Sequence, residues 1–401
     1  MGIGLAELVR SGLRTSSFLF NQVRKLDALE NDFRSRLAEN PDDLIAKHWL
    51  AAIAHHSQRS SEAVELLKQA LIKDVCHPDG PIDVFERLVS MLGEEAAASY
   101  LSWYMAEREN FIFGQIDDYV KWLRTSRYVD SPLIVQIETL TLCNAACTFC
   151  QYPDLTRKGD RMSDEMVNKI IDEIAMLPHD LPLTVTLYGV SEPFLDKRIF
   201  DHIELLNEKA PHAQIGLNTN GAPLNAANIA RLAKLKVAWM GISVNDYRKA
   251  EYEETMKISF DRTLRVLDTL QKMRASGEIP FNVGVTRAGD GSIHDLRFIK
   301  WVRTNYSALT NYFTPHFVWV GDNPGAAILA PQVGCTHWFE LAIRGNGQVS
   351  FCGIDGHIAH SRGDVSKSSM LEIYNDPSFR KLRESNVSRV DVEQCRACTS
   401  G

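Results

Sequence analysis

The sequence predicts an α/β chain: a partial (β/α)6 barrel of TIM-like topology, preceded by an all-helical domain and followed by a small domain made of a β-hairpin and a helix. Three observations carry this. Up to about residue 128, apolar residues recur three and four apart with few β-branched runs. From about 130, short apolar strands alternate with amphipathic helices, the pattern of βαβ units around a parallel sheet. After Gly334, short strands and glycine-containing turns take over. The expected domains are 1–128, 129–325 and 326–401, a division that 401 residues accommodate comfortably.

In the first domain, Asn40 to Leu71 reads as a helix, a polar turn and a second helix, similar to one tetratricopeptide-type unit. Only one persuasive copy is present, so a plain helical cap is the preferred reading. The barrel strands are expected at Leu133 to Glu138, Leu183 to Tyr188, Gln214 to Asn218, Ala238 to Val244, Phe281 to Thr286 and Phe313 to Val320. Ser163, followed by Asp164 and Glu165, caps the helix after the first loop, because the positive end of a helix favours side-chain acceptors and negative charge. One long helical stretch is expected between Arg248 and Gly277. Parallel strands joined by helices place functional loops at the carboxyl ends of the sheet. In the last domain, Leu341 to Arg344 and Val349 to Phe351 flank the turn Gly345-Asn346-Gly347 and form a hairpin, and one helix covers Met370 to Ser385.

A net charge of −7 without a long run of either sign gives no reason to expect a nucleic-acid groove or a membrane surface. The N-terminal segment is interrupted by Glu7, Arg10 and Arg14, and no stretch has the roughly 20 apolar residues that a bilayer requires. A cytoplasmic protein is therefore expected. In that compartment eight cysteines suit ligands or nucleophiles better than disulfides. Seven fall into two groups, Cys143/Cys147/Cys150 and Cys335/Cys352/Cys395/Cys398, with Cys76 outside both.

The first group reads CNAACTFC directly after the first barrel strand. Three thiolates hold three irons of a cubane and leave the fourth iron open to a small molecule with an amino group and a carboxylate. A structural zinc site would want a fourth ligand, and neither Gln151 nor Tyr152 supplies one. This C-x3-C-x2-C motif resembles that of the radical S-adenosylmethionine (SAM) superfamily, and the resemblance extends over residues 130 to 398. It implies that Tyr188-Gly189-Val190-Ser191-Glu192-Pro193 stands where the family's Gly-Gly-Glu-Pro segment binds the methionyl amino group, with Ser191 in place of the second glycine. It likewise implies that Asn218-Thr219-Asn220-Gly221 is the family's Thr-Asn-Gly turn, that Ser243 and Asn245 face the ribose, that Arg287 pairs with the cofactor carboxylate, and that Phe149 packs near adenine. Plain turn, surface or loop-packing roles for these residues remain open.

The second group has the spacing C-x11-G-x4-C from Cys335 through Gly347 to Cys352, then the pair Cys395 and Cys398. It resembles the opening of the family's cysteine-rich SPASM extension in its shortened, twitch form, as in radical dehydrogenases of aminocyclitol type. The resemblance implies an iron-sulfur domain with one auxiliary 4Fe-4S cluster, closed by four ligands and so suited to electron transfer; a four-thiolate zinc site is the alternative. The expected cofactors are SAM and two 4Fe-4S clusters. The leading reading is oxidation of a small molecule such as a sugar, aminocyclitol or nucleotide-linked sugar, with electrons supplied by a flavodoxin or ferredoxin. A peptide or protein maturase, whose partner would bind the helical domain, is the second. Epimerisation is weaker, since every cysteine but Cys76 is assigned to a cluster, and a non-catalytic zinc scaffold is weaker still. No proton acceptor is identified; His337, Glu340, Asp355 and His357 lie near the second cysteine group in sequence, where solvated surface positions are expected.

Overall fold

A computed structural model describes residues 26–73, 79–315, 334–396 and 398. The expected N-terminal segment, Cys76 and the sixth-strand residues beyond Pro315 lie outside the described residues. Contacts divide the chain into two compact units, Met1–Ile112 with Gly291–Lys300, and Phe113–Asp290 with Trp301–Gly401.

The first unit is helical: residues 26–39 (α1), Leu44–His56 (α2), Ser60–Lys73 (α3), Asp79–Leu92 (α4) and the first part of Glu94–Arg124 (α5). The Asp43 carboxylate accepts from Ala46 N at 2.9 Å and so starts α2. Helix α2 is buried almost all round, and Trp49 anchors it by stacking on Phe33 at 5.3 Å and donating to Asp83 at 2.7 Å. Helix α3 is amphipathic and turns Ala63, Leu67, Ala70 and Leu71 inward. The expected helix, turn and helix between Asn40 and Leu71 are therefore present.

In the second unit, β1 (Ile134–Ile137), α6 (Asp164–Ala175), β2 (Leu183–Thr186), α7 (Ile199–Lys209), β3 (Ala213–Thr219), α8 (Ala226–Leu232) and β4 (Trp239–Ser243) alternate strand and helix. Next come α9 (Lys249–Met256), α10 (Phe260–Ala275), β5 (Asn282–Gly289), α11 (Ile293–Asn305), whose first part belongs to the other unit, and β6 (Thr310–Pro315). All six strands are parallel and lie in sequence order, the partial barrel that the alternation predicts. Their apolar residues, among them Val135, Val185, Leu217, Ile242 and Val285, are buried, and the carboxyl ends of the strands share one edge. Ser163 caps α6 as expected, accepting from Met166 N at 3.2 Å.

Three expectations need correction. The stretch from Arg248 to Gly277 is two helices, because Lys257 turns left-handed at φ 57° and closes α9 before Ser259 opens α10. The helix expected at Met370 to Ser385 is also two, α12 (Met370–Tyr374) and α13 (Pro377–Glu384), since Asp376-Pro377 is a helix start. Third, the expected C-terminal hairpin is present, but it is not an appended layer. Strand β7 (Glu340–Ile343) pairs in parallel with β1 over its whole length, and β8 (Gln348–Ser350) and β9 (Ser361–Asp364) follow antiparallel, so one sheet holds nine strands in the order β6-β5-β4-β3-β2-β1-β7-β8-β9. Sequence patterning finds a strand but not a partner two hundred residues away.

Because β7 is the outer neighbour of β1, weakening it should loosen the barrel. Leu341 is fully buried, and Leu341→Ala is expected to cost about 2–5 kcal/mol. Amide exchange measured residue by residue should speed up along β1 as well as β7; acceleration confined to residues after 334 would show the hairpin to be an independent module.

Candidate functional site

The carboxyl ends of the first five strands enclose a cavity of about 300 Å³. All three residues of the first cysteine group line it, and so do Phe149, Gly189, Ser191, Glu192, Asn218, Asn220, Ser243, Asn245 and Arg287. Segments separated by up to 144 positions in the chain thus meet at one place, the rim that a parallel α/β sheet presents to a ligand.

The cysteine loop follows β1 and is held by backbone groups. Ala146 N and Thr148 N donate to Met256 O and Thr255 O, the carbonyls left unpaired at the end of α9. Ala145 N and Tyr152 N point at the Cys143 and Cys150 sulfurs, each at 3.4 Å. Burial pushes the Cys143 thiol up to about 11 and the Cys147 thiol up to about 12, and the charges of neighbouring cysteines add to this. Thiols so disposed give up their protons to a bound metal, not to water.

Glu192 ties three loops together. Its backbone N donates to Leu142 O at 2.7 Å, and its carboxyl accepts from Thr219 Oγ1 at 2.6 Å, Asn220 N at 2.8 Å and Phe194 N at 3.2 Å. Burial nevertheless dominates and raises its pKa to about 7. Gly189 is required by packing, since a Cβ there would stand 2.7 Å from Glu138 Oε1. Glu138 is itself fully buried and bonded to Arg157 and Thr141; burial raises its pKa, but the Arg157 and Arg344 cations outweigh this and hold it low. Gly221, at φ 77°, makes the tight turn expected after Asn220, whose side chain reaches Asn144 Oδ1 at 3.0 Å and the Cys143 sulfur at 3.8 Å.

Arg287 is buried rather than solvent-exposed. Its terminal nitrogens hold Asn245 O, Asp246 at 2.9 Å and Asp290 at 2.9 Å, fixing the left-handed turn at Asn245, φ 63°. Sequence reasoning missed Met256, which also lines the cavity and sets its sulfur 3.4 Å from the Cys147 sulfur. No motif marks it, because it arrives from the end of a helix.

The second cysteine group is elsewhere and closed. Cys335, Cys352, Cys395 and Cys398 share an apolar core with Val120, Leu123, Trp338, Phe339, Phe351 and Val392, and none of the four lines the cavity. They come from the segment before β7, the loop after β8 and the C-terminal turns, where Cys398 N bonds to Cys395 O at 2.9 Å. Burial raises all of the three whose shift is resolved, Cys335 to about 12 and Cys395 to about 11; the charges of the other cysteines add to this, and the Arg389 cation opposes it at Cys335 and Cys395. Four buried thiols are the ligand set of a closed cubane, and equally of a zinc site. The residues fit two clusters, one with three thiols beside an open cavity and one with four thiols sealed in a core. Of the nearby polar residues His357 is exposed as expected, but Asp355 is fully buried and accepts from Phe351 N, Ala359 N and His360 N, and the buried Glu340 has its Oε2 at 2.7 Å from His337 Nδ1.

Residues 137–286 match the model of the radical SAM superfamily, and residues 335–399 match that of an iron-sulfur cluster-binding domain. No curated protein matches. Among solved structures, anSMEcpe with bound AdoMet is 14% identical over 67% of this chain and 86% of its own, with a TM-score of 0.50. BtrN in complex with AdoMet and 2-DOIA is 15% identical over 67% and 93%, with a TM-score of 0.46. Streptococcus suis SuiB bound to the precursor peptide SuiA is 15% identical over 79% and 82%, also at 0.46. Identities this low speak to the fold alone.

A carboxyl whose folded pKa is raised favours folding most when protonated. The contribution of Glu192 should therefore be intact below its ordinary value of 4.5 and fade as pH rises through about 7. In denaturant unfolding of metal-free protein, Glu192→Gln is expected to gain on the wild type between pH 5 and pH 8; parallel pH profiles would mean that Glu192 titrates normally.

Proposed function

The chain is a radical SAM superfamily protein with a C-terminal iron-sulfur cluster-binding domain, and on that premise we propose that it oxidises a small-molecule substrate. Its cofactors are SAM and two clusters, one that binds SAM and one auxiliary. We assign the first to Cys143, Cys147 and Cys150 and the second to Cys335, Cys352, Cys395 and Cys398. In bound form they supply reductive cleavage of SAM to a radical that takes a hydrogen atom from substrate, and an acceptor for the electron left when the substrate radical loses a proton.

The observation that carries oxidation is the sealing of the second cysteine group. Four buried thiols with no opening to the cavity leave no coordination position for a substrate, so electron transfer is the role that fits. Around the cavity, Gly189, Ser191 and Glu192 are assigned to the methionyl end of SAM, Ser243 and Asn245 to the ribose and Phe149 to adenine. Asn218 and Asn220 form the turn beside them. Arg287, which is already holding Asp246 and Asp290, acts on the cofactor carboxylate through the turn that it fixes. An external one-electron donor of flavodoxin or ferredoxin type completes the scheme.

A second reading, modification of a peptide or protein, is supported by the helical unit, which has its own cleft of about 430 Å³ between α2, α4 and α5. In functional terms we take 1–128 as that helical module, 129–325 as the barrel and 326–401 as the cluster module.

Anaerobically reconstituted protein should contain about eight irons and eight sulfides per chain. Joint replacement of Cys143, Cys147 and Cys150 by alanine should abolish reductant-dependent 5′-deoxyadenosine formation, and its persistence would overturn the assignment of the first cluster. Cys395→Ala with Cys398→Ala should keep cofactor cleavage while product falls at least tenfold; an unchanged yield would remove the electron-acceptor role.

A further inference from the structure

The segments that carry the second cysteine group are interleaved with buried arginines. Arg344 is fully buried and fills its fork with neutral oxygens: Nη2 donates to Cys352 O at 3.1 Å and Gly353 O at 2.9 Å, Nε to Ser350 Oγ at 3.0 Å, and Nη1 to Gln136 Oε1 at 2.9 Å. Arg362 is buried with even less. Nη1 donates to Glu340 O at 3.1 Å, the guanidinium lies 3.3 Å over the Phe379 ring, and Nε and Nη2 have no partner. Arg383 is fully buried on Val129 O, Tyr374 O and the Asn375 side chain.

Among the described residues none of these three guanidinium groups makes an ion pair with a carboxylate. The acidic groups that Arg344 feels, Glu138 and Asp355, are engaged by Arg157 and by backbone amides respectively. Burying a cation without a counter-ion is expensive, and carbonyl dipoles and an aromatic face offset it only in part. Arg362 faces Asp376 at the start of α13, whose carboxylate is engaged by Ser378, which leaves the four cysteines as the acidic groups not already occupied. Arg344 donates to the carbonyl of Cys352 itself, and Phe379, beneath Arg362, packs at 5.3 Å on Phe351, the residue before Cys352. Thiols must give up their protons to bind iron. Four thiolates around a dicationic four-iron core make a dianion, which becomes a trianion on taking one electron.

We propose that Arg344 and Arg362 are the built-in counter-charges of the auxiliary cluster, and that their buried positive charge raises its reduction potential so that it can accept the electron of substrate oxidation. The cluster module is then folded around cations that the loaded cluster neutralises. This rests on the assignment of an auxiliary cluster to the four C-terminal cysteines. Arg344 and Arg362 are positioning residues, since they touch the cysteine segment and its aromatic shell and not the substrate.

Redox titration of reconstituted protein, followed by electron paramagnetic resonance, tests this. In the wild type two waves are expected. Arg362→Gln and Arg362→Met should move the auxiliary wave to lower potential and leave the wave of the three-cysteine cluster in place, whereas Arg362→Lys should stay near the wild type. In metal-free protein, where there is no anion to balance, Arg362→Met should unfold at the same or higher denaturant than the wild type, and in loaded protein at lower denaturant. An unmoved auxiliary wave in fully loaded Arg362→Gln would overturn the proposal, and so would a metal-free Arg362→Met protein that is less stable than the wild type or fails to fold. A wild type with one wave and half the iron would instead remove the auxiliary cluster itself, whatever Arg362 does.

Discussion

Strand β1 has a parallel partner on each side, and much of the chemistry hangs on that double pairing. Toward β2 it faces the rest of the barrel; toward β7 it faces the strand that leads to Arg344. The cysteine loop leaves the carboxyl end of β1, and Arg344 leaves the carboxyl end of β7 at the same level of the sheet, where Glu138 N bonds to Ile343 O at 2.9 Å. Arg344 then reaches back to Gln136 on β1 and forward to the Cys352 carbonyl. A single sheet therefore holds the strands from which the first cysteine group and Arg344 depart.

The polar residues at this junction are buried in a way that a simple barrel would not require. Glu138 and Arg157 lie side by side with almost no solvent access, and Arg157 continues through Nε to Gly356 O at 2.8 Å, in the loop that follows Cys352. Gly356 in turn donates to Gln151 Oε1 at 3.0 Å, next to Cys150. Removing one member of such a network leaves its partner charged and desolvated, so the network favours one arrangement of the two loops over others. Gly189 belongs to the same constraint, because only a residue without a Cβ lets the loop after β2 pass over Glu138.

The two cysteine groups differ in what surrounds them. The first opens on a cavity lined by polar loop residues from five strands; the second is packed in aliphatic and aromatic side chains. An open site can exchange ligands, and a sealed one can exchange electrons. The lone titratable group with a strongly raised carboxyl pKa at the cavity, Glu192 among the described residues, is held by three donors from its own loop and the neighbouring one, which makes it a brace for the cavity wall as much as a contact surface.

The sequence by itself determined the local chemistry: strands and helices from their two periods, the helix start at Ser163, the turn at Gly221, and every cavity residue that sits in a motif beside a strand end. Those signals are short-range, and spacing along the chain is enough to read them. The tertiary structure decided what depends on meeting at a distance. It placed β7 on β1, brought Met256 to the cysteine loop, enclosed Arg287 between two aspartates, and turned His337, Glu340 and Asp355 inward. It also buried Arg344, Arg362 and Arg383, although each arginine in the sequence looks like an ordinary surface cation. Burial is a property of the packed chain, and only burial makes a charge, a thiol or a missing Cβ consequential.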